Sequence, residues 1–282
     1  MTIRLDASRR APDRCAVCGA VDAACVLDGL LRACRVCEFT WTTAELAPPE
    51  VLYHSGYFEG GGYEDYYEPA AREYEAGRRL RWLLRTGTAE TLIEAGAAGG
   101  FFVAAARDAG IQAEGVELVA SAAAFAQDQL GVPVRVGSFE TAAFPQPYDV
   151  VCAFHVLEHV EDPASFLQAV LAATVPGGRL ALEVPNISSA AFARLGKAWP
   201  SIQPAYHRWH FTPSSLRRLV EQQGFRVVAA DTVFSRYYWR PWARWRHARE
   251  LWAADFVASG DVSVSHPRLG DMIRLIARRP AT

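Results

Sequence analysis

Thr91-Leu92-Ile93-Glu94-Ala95-Gly96-Ala97-Ala98-Gly99-Gly100-Phe101-Phe102 decides the fold of this chain. An apolar run passes through a carboxylate into a turn of glycines and alanines and then into a helical pattern. An open α/β sheet binds ligands at the carboxyl ends of its strands, and small residues there let the backbone approach a bulky ligand closely. Glu94, Gly96, Ala98 and Gly100 fill an acidic-x-Gly-x-Gly-x-Gly turn, with Ala98 in place of the middle glycine. Alone, such a turn is also a plain strand-to-helix corner. Gly115-Val116-Glu117-Leu118, about twenty residues on, adds a second strand end whose carboxylate is placed to accept hydrogen bonds from two ribose hydroxyls.

Working outward, Tyr148-Asp149-Val150-Val151-Cys152-Ala153-Phe154-His155-Val156-Leu157-Glu158-His159-Val160-Glu161-Asp162-Pro163 reads as a buried strand and the loop after it. Pro176-Gly177-Gly178 and Glu183-Val184-Pro185-Asn186 follow as turn and fifth strand, and His210-Phe211-Thr212-Pro213-Ser214-Ser215-Leu216 opens a further helix. Four ordered motifs are far more specific than one glycine turn. Over residues 50–282 the chain resembles class I S-adenosylmethionine-dependent methyltransferases.

The fold expected is a doubly wound α/β sheet of seven strands, Rossmann-like, with an antiparallel last strand and a small N-terminal zinc ribbon. Strands are expected near 91–96, 113–118, 133–138, 148–155, 179–185, 226–234 and 271–279, and helices near 69–85, 100–109, 120–130, 163–174 and 213–223. In the first of these helices Leu80, Leu83 and Leu84 share one face, with arginines on the other.

The resemblance also implies a cofactor site. Glu94, Gly96, Ala98, Gly100 and Phe101 meet the amino-acid portion and ribose of S-adenosylmethionine, and Glu117 with Leu118 grips the ribose diol. Ser138, Phe139 and Glu140 border the adenine, while Phe154 and His155 line the floor. A hydroxyl or acidic carbon must lose a proton as it is methylated, and a histidine of near-neutral pKa is a natural base. His155 and His159 flank Glu158, and His207 and His210 lie in Tyr206-His207-Arg208-Trp209-His210, which is expected to border the acceptor. His159 with Glu158 is the first catalytic candidate, His207 or His210 the next; His155 is either catalytic or a structural histidine of the cofactor pocket.

Cys15-Ala16-Val17-Cys18 and Cys34-Arg35-Val36-Cys37 are two C-x-x-C pairs spaced as the knuckles of a structural zinc ribbon. Four thiolates fill a tetrahedral zinc shell without an open catalytic position, and so short a segment needs metal to fold. Cys25 and Cys152 are expected to be buried small hydrophobes. The organisation expected is a ribbon at 10–45, a linker, aromatic-glycine lid and helical cap at 46–88, and a cofactor-binding domain at 89–282, with an insertion at 231–270. Tyr53 to Tyr67, rich in glycine and tyrosine, reads either as a lid closing over ligand or as a surface loop. The insertion interleaves Tyr238, Trp242, Trp245 and Trp252 with arginines, which suits a packing helix or lid, an RNA-stacking surface or a homodimer face.

Composition bounds the function. With 282 residues, 51% of them hydrophobic, and a formal net charge of −2, the chain has an ordinary globular composition and no global attraction for nucleic acid or anionic membranes. No apolar run reaches spanning length and no signal-peptide core is seen, so a cytoplasmic location is expected. Within residues 1–45 six arginines face six acidic residues, a poor match for a phosphate reader. The reading is therefore methyl transfer to oxygen or carbon of a small molecule of secondary-metabolite or sugar type. An RNA base methyltransferase using the ribbon as reader, and a non-catalytic S-adenosylmethionine-binding module, are the alternatives.

Overall fold

Three short strands, β1 (Ala23–Val26), β2 (Leu31–Cys34) and β3 (Thr40–Thr42), follow the first cysteine knuckle, with the second between β2 and β3, in a computed structural model that describes residues 12–44, 46–53, 67–234 and 270–281. A short helix α1 (Pro49–Leu52) and the long α2 (Pro69–Leu84) lead into the main sheet. There β4 (Thr91–Ala95), β5 (Gln112–Glu117), β6 (Val134–Val136), β7 (Tyr148–Phe154) and β8 (Thr174–Pro185) run parallel. They alternate with α3 (Phe101–Asp108), α4 (Ala120–Leu130) and α5 (Pro163–Ala173). After α6 (Ala190–Leu195), the two-residue β9 (Trp209–His210) and α7 (Pro213–Gln222), the sheet is completed by β10 (Arg226–Val233) and β11 (Met272–Arg278).

The strand order is β10-β11-β8-β7-β4-β5-β6, and β11 alone runs against both of its neighbours. All seven expected strands and the antiparallel last strand are present. Chain order reverses between β4 and β7, so the crevice beyond their carboxyl ends is the place where an open α/β sheet binds ligand. Buried residues alternate between two layers, as strand geometry requires. Leu92, Val150 and Cys152 pack with α2, α3 and α4 on one face, while Ile93, Val151 and Ala153 pack with α5 and α7 on the other.

Local chemistry sets the element ends. Asp162 caps α5 by accepting from Ala164 and Ser165 N–H, with Pro163 at the first helical position. Thr212 and Ser215 form a reciprocal capping box at α7. Gly100 caps α3 at φ +77°, where a Cβ would lie 2.7 Å from that of Ala126.

Three sequence expectations are corrected. In α2 the buried face comprises Ala76, Leu80, Trp82 and Leu83; Leu84 is exposed, and Arg79 turns inward to an ion pair, because the helix lies across the cavity mouth instead of on a plain apolar surface. Cys25 is exposed on the edge strand β1, whereas Cys152 is buried as expected. Finally, the N-terminal strands are not self-contained: the second sheet has the order β1-β2-β3-β9, its fourth strand coming from Trp209–His210. Phe39 stacks with Trp41 and Trp209 and meets Phe211 at a tilt, and these rings join the main core. The glycine-tyrosine stretch at 54–66 and the aromatic-arginine stretch at 235–269 lie outside the described residues.

Candidate active site

A cavity of about 980 Å³ opens at the carboxyl ends of β4, β5 and β7, bounded by α2 and by the segment before β9. Gly96, at φ +67°, brings the β4 turn against Val156, whose Cγ2 would lie 2.5 Å from an added Cβ. Ala98 holds φ +45°, so the alanine in the middle-glycine position adopts the left-handed conformation that glycine favours. Glu117 explains its placement. One carboxylate oxygen accepts the Ala98 N–H at 2.8 Å and the other accepts that of Val119 at 2.8 Å. Burial raises the Glu117 pKa, and these backbone donors work against the rise. Gly115 is required for another reason: a Cβ there would sit 2.4 Å from that of Ala97.

Glu94 is buried with one carboxylate oxygen lacking a hydrogen-bond partner among the described residues. Desolvation pushes its pKa up to about 8, against the pull of Arg79. A buried carboxylate with an unpartnered oxygen beside a glycine turn fits the ammonium of an amino-acid group. Phe101, Leu118, Ser138, Phe139, Glu140 and Phe154 all line the same cavity. Phe139 packs on Phe166, Ser138 donates to Glu140 at 2.5 Å, and Phe154 lies beneath the Arg79 guanidinium at 4.7 Å. Gly100 stays behind the wall as a helix cap.

Three of the four candidate histidines line the cavity. His155, at φ +58°, points Nδ1 to Glu158 at 3.3 Å and Nε2 to Glu183 at 3.2 Å. Burial opposes its charge, yet the two carboxylates raise its pKa to about 9, so it is an imidazolium at neutral pH. His159 has the opposite environment. Desolvation lowers its pKa from 6.5 despite Glu158, whose Oε1 lies 3.9 Å from Nε2. Its Nδ1 meets the Tyr53 hydroxyl and, at 3.3 Å, the Tyr206 carbonyl. His207 stacks edge-on to His159 with ring centroids 4.5 Å apart. Burial, then His159, holds the His207 pKa well below its ordinary value. His210 does not line the cavity; it is buried in β9, its pKa lowered by desolvation to about 3. His155 and His159 are thus neighbouring titratable groups with oppositely shifted pKa values, raised in the first and lowered in the second.

Sequence reading missed the group that sets His155. Glu183, buried at the end of β8, receives Arg79 Nη2 at 2.5 Å and Arg274 Nε at 2.5 Å. Burial disfavours its ionisation, but Arg274 and Arg79 hold its pKa well below the ordinary carboxylate range. Tyr53 was likewise missed as a partner of His159. A carboxylate within an otherwise apolar strand is the available signal for Glu183; for Tyr53 the signal is its place at the start of the glycine-tyrosine stretch.

The four cysteine sulfurs at 15, 18, 34 and 37 lie within 4.8 Å of one another. Their closest approaches are 3.4 Å for Cys15 with Cys37 and 3.5 Å for Cys18 with Cys34, and Val36 N–H donates to Cys34 Sγ at 3.4 Å. Tetrahedral zinc with Zn–S bonds of about 2.3 Å sets its sulfurs about 3.8 Å apart, so the donor set fits that ion.

Comparison with known proteins agrees with this architecture. The profile of a methyltransferase domain matches residues 67–230. The chain belongs to this methyltransferase family. Ubiquinone biosynthesis O-methyltransferase from Leptothrix cholodnii is 34% identical over 125 residues, 40% of this chain and 53% of that protein. The chain thus spans about half the length of the curated relatives it matches. Among solved structures, a Thermotoga maritima methyltransferase described as a possible histamine N-methyltransferase aligns with TM-score 0.55 at 18% identity, covering 77% of this chain and 94% of that one. Magnesium protoporphyrin IX methyltransferase from Synechocystis PCC 6803, with bound S-adenosylhomocysteine, aligns with TM-score 0.55 at 14% identity, covering 80% and 97%. At these identities the structural likeness is one of fold. No helix among the described residues is long and apolar enough to cross a membrane.

Proposed function

We propose that the chain methylates a hydroxyl oxygen of a small-molecule acceptor, using S-adenosylmethionine. The observation that carries this reading is the Tyr53 phenol on His159 Nδ1 inside the cavity that also contains the glycine turn. An imidazole whose ring nitrogen already meets a phenolic hydroxyl is disposed to meet that of an acceptor. The O-methyltransferase relatives support oxygen as the methylated atom.

When bound, S-adenosylmethionine supplies an electrophilic methyl group, which the acceptor oxygen takes as the sulfur keeps the bonding electron pair. The chain's own residues do the rest. Glu94 receives the cofactor's ammonium, Glu117 its ribose hydroxyls, and Ser138, Phe139 and Glu140 its base. His159, neutral at physiological pH, takes the hydroxyl proton; Glu158 stabilises the imidazolium that forms. His155 stays protonated between Glu158 and Glu183 and favours the anionic acceptor oxygen. Apolar walls at Phe101, Phe154 and Val156 exclude water, and orientation within the cavity supplies much of the acceleration. The four cysteines hold a structural zinc.

The test is transfer of label from methyl-labelled S-adenosylmethionine into separated metabolite and RNA fractions of the source cell. Label in hydroxylated metabolites supports the reading. Label confined to RNA replaces it with the nucleic-acid alternative, and cofactor binding without any transfer points to a non-catalytic module.

A further inference from the structure

The wall that presents His207 to the cavity is held by a residue of the cysteine-bearing sheet. Thr42, at the end of β3, donates its hydroxyl hydrogen to the His207 carbonyl at 2.7 Å, and its oxygen also lies 3.1 Å from His210 Nε2. Its own N–H donates to the Arg208 carbonyl at 3.0 Å. The hydroxyl has one hydrogen and a carbonyl only accepts. With that hydrogen committed to His207, the threonine oxygen accepts from His210, which fixes His210 as the Nε2–H tautomer. By the same reasoning His207 Nδ1, 3.0 Å from the Ser201 carbonyl, carries a hydrogen and leaves Nε2 as a lone pair.

The surrounding contacts show why one hydroxyl matters. The strand β9 is two residues long and, among the described residues, pairs with β3 alone, through Thr40 with His210 and Trp41 with Trp209. On its other side, Arg208 and Trp209 N–H both donate to the Glu158 carbonyl, at 2.9 and 3.2 Å. The segment 207–210 therefore bridges the cysteine sheet and the loop of Glu158 and His159. Thr42 stands opposite Leu31 in β2, the strand that ends at Cys34.

We propose that Thr42 is a positioning residue of the acceptor site: its hydroxyl holds the His207 backbone in place and sets the tautomer of His210. The N-terminal cysteine module is thereby part of the acceptor wall instead of an appendage. The proposal rests on the reading of His207 as an acceptor-wall residue, but its test needs no acceptor.

The test compares the full chain with Thr42→Val, which keeps shape and loses the hydroxyl, and Thr42→Ser, which keeps the hydroxyl. Imidazole nitrogen and hydrogen resonances of His207 and His210 are followed by NMR, and S-adenosylhomocysteine is titrated as a measure of the distant cofactor turn. We expect Thr42→Val to abolish the slowly exchanging Nε2–H signal of His210 and to shift His207, with cofactor affinity within about twofold of wild type. Thr42→Ser restores both histidine signatures. Unchanged histidine signals in Thr42→Val overturn the proposal, as does a Thr42→Ser chain perturbed as strongly as the valine variant. Should the valine variant fail to fold, the serine variant decides alone by the same criterion. A wild type that binds no S-adenosylhomocysteine refutes the cofactor reading and leaves the histidine comparison intact.

Discussion

The Glu117 carboxylate accepts the Ala98 N–H at 2.8 Å, so the acid at the end of β5 also fastens the turn at the end of β4. Its second oxygen, bound to Val119 N–H, orders the start of α4. In the proposed cofactor site, recognition of the ribose and turn conformation therefore share one side chain. Glu117→Ala removes charge-assisted hydrogen bonds worth about 1.5–3 kcal/mol each and is expected to weaken S-adenosylhomocysteine binding by about a hundredfold or more. Calorimetric titration checks this, and an unchanged affinity would contradict the ribose site.

Glu94 gives the cofactor site a pH signature. Burial keeps its proton on up to about pH 8 in the ligand-free chain. A cationic ammonium beside it favours the carboxylate, so binding expels that proton. Affinity should rise with pH, by at most about tenfold per unit, and level off above the free-state pKa. Titrations in buffers of different ionisation enthalpy should report the released proton at neutral pH, and Glu94→Gln should abolish both the release and the pH dependence.

His155 and His159 should separate kinetically. Replacing His159 by alanine is expected to lower kcat by about a hundredfold to ten-thousandfold with little change in cofactor affinity. The wild-type rate should climb with pH on a limb below 6.5, because desolvation lowers the pKa of His159, and this limb should vanish in the variant. His155→Gln removes a cation whose pKa stands at about 9 and should instead flatten the descending alkaline limb. A variant of His159 with full activity on the true acceptor would remove base catalysis from the account.

Much of this was legible in the chain because each piece has a local cause. The central strands β4, β7, β8 and β11 are apolar runs largely buried on both faces, and the α5 and α7 starts are written in Asp162-Pro163 and Thr212-Pro213. Gly96, Ala98 and Glu117 stand out by their spacing, and the Leu157-Glu158-His159 loop by its resemblance to the methyltransferase family. What escaped depends on residues far apart in sequence. Nothing local shows that Arg79 of α2 and Arg274 of β11 converge on Glu183, and those two ion pairs keep Glu183 ionised beside His155. Periodicity sets the arginines of α2 on the face opposite its leucines and does not distinguish Arg79 from the rest. Likewise a two-residue strand such as β9 has no pattern to read, so the union of the cysteine module with the His207–His210 segment is visible only in the β3 pairing.

The cysteine cluster should contain one zinc per chain, measurable by elemental analysis of protein purified without chelator. Ser substitution at Cys15 and Cys34 should release it and disorder β1 to β3, because metal binding supplies folding energy to so short a segment. Since Thr42 lies on the same sheet, loss of metal should also move the His207 and His210 resonances while leaving the Ala98 turn in place. Metal-free protein with an ordered N-terminal sheet would contradict the structural zinc.

The most direct measurement is the product itself. S-adenosylmethionine with an isotope-labelled methyl group is incubated with the chain and the metabolite fraction that takes up label, and the product carbon is examined by NMR. The account predicts a methyl ether resonance, formed by the wild type and nearly absent with His159→Ala. A methyl on carbon or nitrogen, or a methyl ether formed equally well by the variant, would contradict oxygen methylation assisted by His159.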